Sequence, residues 1–159
     1  MSKNTDNISG KLEWIGVRDK SEGMFSTKSV TAIQGLGLEG DKITFKKSKK
    51  RQVTLMQKEH ISVILSLARE NDQEKIKKIM YFFKRNLLIS NYNVINLKGK
   101  YFKIGEAAFF GTGDCKPCKK ITDLLGQPMY DAMQGMGGIT ASVEKTGLIL
   151  SDMESLIYH

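Results

Sequence analysis

Residues 111–120 read Gly-Thr-Gly-Asp-Cys-Lys-Pro-Cys-Lys-Lys and contain both cysteines of the chain, Cys115 and Cys118. The apolar run 107–110 before this stretch favours a strand. The apolar residues after Cys118 recur at helical spacing until Gly126-Gln127-Pro128 stops the pattern. The stretch therefore predicts a strand that passes directly into a helix, with two thiols at the junction.

The residues around the two thiols favour negative charge on sulfur. Lys116, Lys119 and Lys120 lie within this stretch. Both their ammonium groups and the amides of a helix start stabilise a thiolate. We therefore expect any chemistry of the chain to involve these sulfurs.

Four interpretations of the Cys115/Cys118 pair remain open from spacing alone. A structural zinc site needs about four ligands, and only His60 and His159 could add to the pair, which disfavours zinc. A thioredoxin-like dithiol fits the Cys-Lys-Pro-Cys motif, but the expected βαβ context is missing. The pair is otherwise either two unreactive apolar residues, or a site where one thiol binds a molybdenum–sulfur centre or carries a persulfide.

The composition indicates one soluble globular domain. A chain of 159 residues with 40% hydrophobic and 26% charged residues can bury a single core, which argues against disorder. We expect residues 1–10 to be a flexible tail and residues 11–159 to form the domain. The tail lacks the apolar centre of a secretion signal, and no apolar run approaches the ~20 residues that cross a bilayer. With only two cysteines, a cytoplasmic location is expected.

The net charge of +8 is concentrated in part in residues 46–51, which read Lys-Lys-Ser-Lys-Lys-Arg. Such a block suits a solvated loop, an anionic cofactor or nucleic acid. No aromatic residue is interleaved in the block for base stacking, so nucleic-acid binding is disfavoured.

The element pattern predicts a mostly β, barrel-like domain with helical insertions. Many short β-prone runs occur, and one amphipathic helix is predicted over 57–70. Residues 97–104 and 107–111 are expected to pair across Gly105-Glu106. Residues 139–145 and 148–150 are expected to form a hairpin around Thr146-Gly147.

Further candidate binding residues lie outside the cysteine stretch. The glycine clusters 35–41 and 135–138 either form ordinary turns or present backbone amides to an anion. Arg85 and Asn86 suit a phosphate or the edge of a heterocycle, although an arginine in a surface salt bridge is the commoner case. For Lys28 the commoner case is likewise a solvated side chain.

Taken in order, these pieces resemble the MOSC domain family, related to the C-terminal domain of molybdenum cofactor sulfurases. The resemblance covers approximately residues 12–152. Its markers are a set of short motifs in family order: Gly23…Lys28, Gly37-Leu38-Glu39-Gly40-Asp41, Arg51-Gln52-Val53-Thr54-Leu55 with Glu59, Lys84-Arg85-Asn86-Leu87, Leu97-x-Gly99-x-x-Phe102-x-Ile104-Gly105, the Cys-x-Pro-Cys segment and Gly135-x-Gly137-Gly138.

The resemblance implies a MOSC-like β-barrel that binds the molybdenum cofactor (molybdopterin). It implies that Cys118 is the catalytic thiol, ligating molybdenum or carrying sulfur for metal–sulfur cofactor maturation, with Cys115 as a resolving thiol or incidental. The implied cofactor-binding residues are Lys28, Asp41, Arg85, Asn86, Thr112, Gly137 and Gly138. The implied activity is reduction of N-hydroxylated substrates, which needs an external reductase, or sulfur transfer from a sulfur donor. The expected assembly is a monomer or homodimer.

The chain departs from the family pattern at several positions. Lys84, Gln134 and Met136 occupy places where relatives often carry arginine, and Ser151-Asp152 replaces a terminal Gly-Asp. Each lost charge-assisted contact to a phosphate would weaken cofactor binding by ~1.5–3 kcal/mol. Two alternatives therefore stay open beside the molybdenum-dependent oxidoreductase and the sulfur carrier. They are a dithiol redox protein using Cys115 and Cys118, and a non-catalytic anion-binding module.

Overall fold

A computed structural model describes residues 8–21, 23–151 and 154–157 of the chain. The strands are β1 (Ile8–Arg18), β2 (Met24–Thr27), β3 (Ser29–Ile33), β4 (Gly37–Leu38), β5 (Val53–Gln57), β6 (Leu87–Ser90), β7 (Tyr101–Ile104), β8 (Ala107–Asp114), β9 (Ile139–Lys145), β10 (Gly147–Leu150) and β11 (Glu154–Ile157). The α-helices are α1 (Glu59–Leu67), α2 (Gln73–Lys77), α3 (Ile79–Phe83), α4 (Lys119–Leu125) and α5 (Gln127–Ala132). Single 3-10 turns cover Lys42–Phe45 and Val94–Leu97.

The larger sheet curls into a half-barrel. Its strand order is β11-β1-β6-β5-β9-β8-β7, and β2 also pairs with β1. The two edge strands, β11 and β7, contact each other across the open side of this half-barrel. Among these pairs only β5 and β6 are parallel, and the three helices α1, α2 and α3 supply the crossover that a parallel pair requires. This architecture confirms the expected mostly β, barrel-like fold with helical insertions.

A second, three-stranded sheet of order β10-β3-β4 packs across the inside of the curve. Ala32, Leu38 and Ile149 from this sheet join one core with Leu55, Phe109 and the other inward residues of the larger sheet. Alternate residues of each strand point to opposite faces, so the inner face is apolar. This core holds the barrel together.

A second apolar layer lies outside the barrel. Met56 and Leu88 point outward from β5 and β6 and pack with α-helical residues such as Phe83, Ile121 and Met133. The helices thus cover the outer face over the middle of the sheet. They leave the outer face of β7 and β8 open, where Tyr101 is 65% exposed. None of the described helices is long and apolar enough to cross a membrane.

The predicted hairpin over 139–150 is wrong. β9 pairs with β5 and β8, whereas β10 pairs with β3 in the other sheet. Thr146 Oγ1 accepts a hydrogen bond from the Gln34 amide at 2.9 Å, and a Cβ on Gly147 would lie 2.3 Å from the backbone of Glu106. The short turn therefore carries the chain from one sheet to the other, because distant partners hold it there.

The other boundaries differ less from expectation. β1 begins at Ile8, so residues 8–10 belong to this strand rather than to the predicted tail, and residues 1–7 lie outside the described part. The predicted helix over 57–70 is confirmed as α1, with shorter bounds. The pairing across Gly105-Glu106 is confirmed as the β7–β8 hairpin.

Replacing Tyr92 by phenylalanine is expected to stabilise the protein by about 1 kcal/mol. The Tyr92 hydroxyl is buried and has no hydrogen-bond partner within the described residues, and burial raises the pKa of this phenol. Phenylalanine removes an unsatisfied polar group while keeping the ring in the core. The midpoint of urea unfolding measures the change. A destabilised variant would show that the hydroxyl has a partner in solution.

Candidate functional site

A cleft of about 150 Å³ opens where β8 ends and the chain turns into α4. The sequence stretch 114–117 forms one wall, and the glycine cluster 135–138 forms the other. Its lining residues are Ile95, Asp114, Cys115, Lys116, Pro117, Gln134, Gly135, Gly137 and Gly138. Two segments that the sequence singled out therefore meet at one place.

The two cysteines have different environments. Cys115 is 1% exposed, and its amide donates a hydrogen bond to Gly138 O at 2.8 Å. Cys118 is exposed at the N-cap of α4, and its sulfur makes no hydrogen bond to any residue the structure describes. Both thiols are free, but only Cys118 is open to a ligand or reagent from solvent.

Arg85 is buried beneath the cleft and connects its two walls through hydrogen bonds. Its guanidinium donates to three main-chain carbonyls: Gly137 O at 2.8 Å, Phe83 O at 2.9 Å and Cys115 O at 3.4 Å. These carbonyls belong to the glycine wall, the end of α3 and the cysteine wall. The side chain is 6% exposed, so Arg85 shapes the cleft from behind.

Arg85 carries its charge without an acidic partner among the described residues. Burial lowers the pKa of Arg85, and the nearby Cys115 and Cys118 act in the opposite direction, toward a higher pKa. A buried cation without a counter-ion is costly, and a negative charge nearby offsets that cost. The cleft above Arg85 therefore favours anions.

Asp41 and Asn86 form a separate buried network. The Asp41 carboxylate accepts hydrogen bonds from the Arg18 guanidinium at 3.1 and 3.3 Å, from the Ile43 amide at 2.9 Å and from Asn86 Nδ2 at 2.9 Å. Asn86 also donates to Gly16 O at 2.9 Å and accepts from the Thr54 amide at 3.0 Å. Both side chains are 0% exposed, so they tie β1, β5 and β6 together next to Arg85.

The remaining predicted site residues fall in three places. Gly137 and Gly138 line the cleft. Thr112 lies beside it, donating to Lys50 O at 2.6 Å and contacting Thr140 Oγ1 at 2.7 Å. Lys28 lines a different hollow together with Trp14, and this hollow shares no residue with the cleft.

Sequence reasoning missed one basic side chain and one acidic side chain at the cleft. Arg51 ends the basic block, and its Nη2 lies 3.8 Å from Cys115 Sγ, where it donates a hydrogen bond. Asp114 lines the cleft and pairs with Lys98 at 2.8 Å. The proximity of Arg51 to Cys115 had no local signal, because 64 positions separate the two residues.

Comparison with known proteins identifies relatives of this architecture. The family model for the MOSC domain matches residues 41–153. The crystal structure of the YuaD protein from Bacillus subtilis is similar, with a TM-score of 0.76, 16% identity and 95% of each chain covered. YiiM from Escherichia coli has a TM-score of 0.64 and 23% identity, covering 94% of this chain and 70% of that one. YiiM from Geobacillus stearothermophilus has a TM-score of 0.61 and 12% identity, covering 94% and 74%. At these identities the likeness concerns the fold, and no curated protein matches the chain in sequence.

Proposed function

The chain belongs to the MOSC domain family, which is linked to molybdenum-cofactor binding, and we propose that it binds this cofactor with Cys118 as the protein's ligand to molybdenum. One observation carries the proposal. Cys118 is exposed directly after Pro117, which lines the cleft, whereas Cys115 is buried and held by the opposite wall. A soft thiolate at the edge of an anion-favouring cleft suits a molybdenum–sulfur centre that also carries a phosphate.

The donor set of the cleft fits such a cofactor. No cluster of three or more His, Cys, Asp or Glu in the described part of the chain is arranged to hold a metal, so Cys118 would be the protein ligand and the cofactor would supply the others. The amides of Gly135 and Gly137 donate to no described residue and are available to an anion. Lys116 and Arg51 add positive charge at the edge. A volume of about 150 Å³ accommodates part of the cofactor, such as its phosphate.

In this proposal the predicted binding residues divide by role. Gly137 and Gly138 would contact the cofactor, and Arg85 would hold the two walls together through its hydrogen bonds to Gly137 O and Cys115 O. Asp41 and Asn86 support Arg85 from the sheet, while Lys28 and Thr112 stay outside the contact set. Two anchoring positions of the family pattern are Gln134 and Met136 here, so the cations at the edge would provide more of the attraction for phosphate.

The reaction we propose adds two electrons and two protons to an N-hydroxylated substrate. The N–O bond breaks, and the products are the amine or amidine and water. When bound, the molybdenum centre supplies the redox step at the N–O bond. The two cysteines do not provide the ligand set of an iron–sulfur cluster, so a separate reductase would supply the electrons. Such chemistry suits the reducing cytoplasm, where the Cys118 thiol stays available.

Cys118→Ser is expected to abolish molybdenum binding in protein purified from a host that makes the cofactor. Serine removes the soft donor but keeps the size of the side chain. Elemental analysis of the metal content measures the effect, with Cys115→Ser as the matched control that retains molybdenum. Equal molybdenum in the wild type and in Cys118→Ser would rule out the proposed ligand.

A sulfur-carrier function is the second candidate, because an exposed thiol with no hydrogen bond also suits a persulfide. The metal analysis separates the two functions when it is combined with mass spectrometry of the intact protein. Molybdenum without a persulfide supports the cofactor protein. A persulfide that disappears in Cys118→Ser, with no molybdenum bound, supports the sulfur carrier.

A further inference from the structure

The outer face of β7 and β8 carries an exposed pair of aromatic rings. Tyr101 and Phe110 are direct cross-strand partners, and their ring centroids lie 4.7 Å apart with planes inclined at 50°. Tyr101 is 65% exposed and Phe110 is half-buried. The face therefore presents one exposed ring beside a second ring that is partly covered.

Two lysines lie on the same face, in the next row of outward-pointing residues along the strands. Lys103 pairs with Ala108, and Ala108 also pairs with Lys145 on its other side, so both lysines project from the face that bears the rings. Both lysines are exposed. A row two residues along a strand is about 7 Å away, so Lys103 leaves the backbone about that far from Tyr101.

More positive charge lies at the other end of this face. Thr112 donates to Lys50 O at 2.6 Å, which places the loop containing the basic block beside the strand. Lys98 pairs with Asp114 at the same end. Two carboxylates border the face: Asp114, whose charge cancels that of Lys98, and Glu144, which accepts a hydrogen bond from Ser142 at 2.7 Å. The net positive charge of the face therefore comes from Lys103, Lys145 and the basic loop 46–51.

We propose that this face, formed by Tyr101, Phe110, Lys103 and Lys145 with the basic loop 46–51 at its end, binds single-stranded nucleic acid. Unpaired bases stack on exposed rings, and lysines on both sides of the rings pair with the phosphates. None of Tyr101, Phe110, Lys103 and Lys145 lines the cysteine cleft, and binding of the strand to them does not depend on the cofactor.

The arrangement favours a single strand over other anionic partners. A duplex hides the faces of its bases, so it would use the lysines but not the rings. An acidic protein segment would likewise gain little from the aromatic pair. The sequence disfavoured nucleic acid because the basic block contains no aromatic residue. The pairing of β7 with β8 supplies the rings from elsewhere in the chain.

Fluorescence anisotropy with labelled oligothymidylate and oligouridylate of about 15 nucleotides tests the proposal, because such lengths match known single-strand sites. We expect both to bind at low salt, with the relative affinity showing whether DNA or RNA is preferred. Tyr101→Leu should weaken binding about tenfold, because one stacking contact is lost, and Tyr101→Phe should retain it. Lys103→Gln with Lys145→Gln should reduce the slope of log K against log salt by about 0.7 per lost phosphate contact.

The controls separate this site from general charge attraction. The control variant, Lys77→Gln with Lys78→Gln, removes two positive charges from α2 and its C-cap, away from the face. It should leave the slope of log K against log salt unchanged. Equal affinity for a duplex of the same length, or binding unaffected by Tyr101→Leu, would overturn the proposal. Displacement of the oligonucleotide by polyglutamate, at an equal concentration of negative charges, would also overturn the proposal. A change of oligomeric state in Tyr101→Leu would instead assign the face to a contact between copies of the chain.

Discussion

Replacing Asp41 by asparagine is expected to lower the free energy of unfolding by about 3–5 kcal/mol. Asp41 is 0% exposed and pairs with Arg18, whose side chain is 12% exposed. Asparagine leaves that guanidinium without its counter-ion and places an amide group among donors from Ile43 and Asn86. The Asp41 carboxylate contributes to the junction of β1, β5 and β6 through Asn86, and denaturant unfolding at neutral pH measures the loss.

Asp114→Asn is the matched control, because it makes the same chemical change in an ion pair of similar length. The Asp114 and Lys98 side chains are about half exposed, so their separation should cost less than about 1 kcal/mol. Equal losses in the two variants would show that burial of the Asp41 pair adds nothing.

The stability contribution of Asp41 should also depend on pH. Burial acts to raise the pKa of this carboxyl, but hydrogen bonds from Arg18 and Ile43 outweigh it and hold the pKa below the usual 3.8. A depressed folded-state pKa stabilises the fold above the unfolded pKa, and this stabilisation is lost as the pH falls through the folded value. The difference between wild type and Asp41→Asn should therefore shrink as the pH is lowered below about 4.

Gly138→Ala is expected to cost about 4 kcal/mol, because steric overlap and backbone strain each contribute about 1–3 kcal/mol. Gly138 has φ +94°, and a Cβ there would lie 1.9 Å from Leu55 O. Leu55 lies in a central strand and cannot move away without disturbing β5 and β9. The free energy of unfolding from denaturant titration measures the cost.

Gly135→Ala serves as the comparison, because Gly135 also has positive φ but has open space around its Cβ position. It should show only the strain of about 1–3 kcal/mol. Gly138→Ala should also expose Cys115 to alkylation, because Gly138 O accepts the hydrogen bond from the Cys115 amide. Equal stability of the two variants, with Cys115 still protected, would contradict this account.

Local patterns in the sequence predicted the elements that depend on neighbouring residues. The helix after Cys118 begins where the two thiols and the apolar spacing indicated, and it ends at Leu125, directly before the predicted stop at Gly126-Gln127-Pro128. The β7–β8 pairing follows from two alternating runs joined by Gly105-Glu106. In each case the decisive residues lie within about ten positions of one another.

The sequence did not predict the pairing of strands that lie far apart in the chain. Thr146-Gly147 has the composition of a hairpin turn, yet the residues after it pair with β3, more than a hundred positions earlier. β11 was missed because its partner is the first strand of the sheet. The choice of strand partner depends on contacts across the whole barrel. The spacing of neighbouring residues in the sequence does not predict it.

The same limit applies to the candidate site. The sequence identified the cysteine stretch and the glycine cluster that form the walls of the cleft. The family resemblance implied that Arg85 contacts the cofactor, whereas the residue alone favoured a surface salt bridge. In the structure three main-chain carbonyls receive its hydrogen bonds, and the residue that reaches Cys115 from the basic block is Arg51.

The pairing of β1 with β11 has a consequence for the order of folding. Ile8 lies opposite Ile157, so the first and last described strands are neighbours in the sheet. Contacts between residues so far apart in the chain carry a high entropic cost of loop closure and slow folding. On the ribosome, β2 can cover residues 15–18 of β1 early, but residues 8–11 must wait for β11 until almost the entire described chain has emerged. During synthesis this exposed edge is the part of the molecule most in need of protection from intermolecular strand pairing.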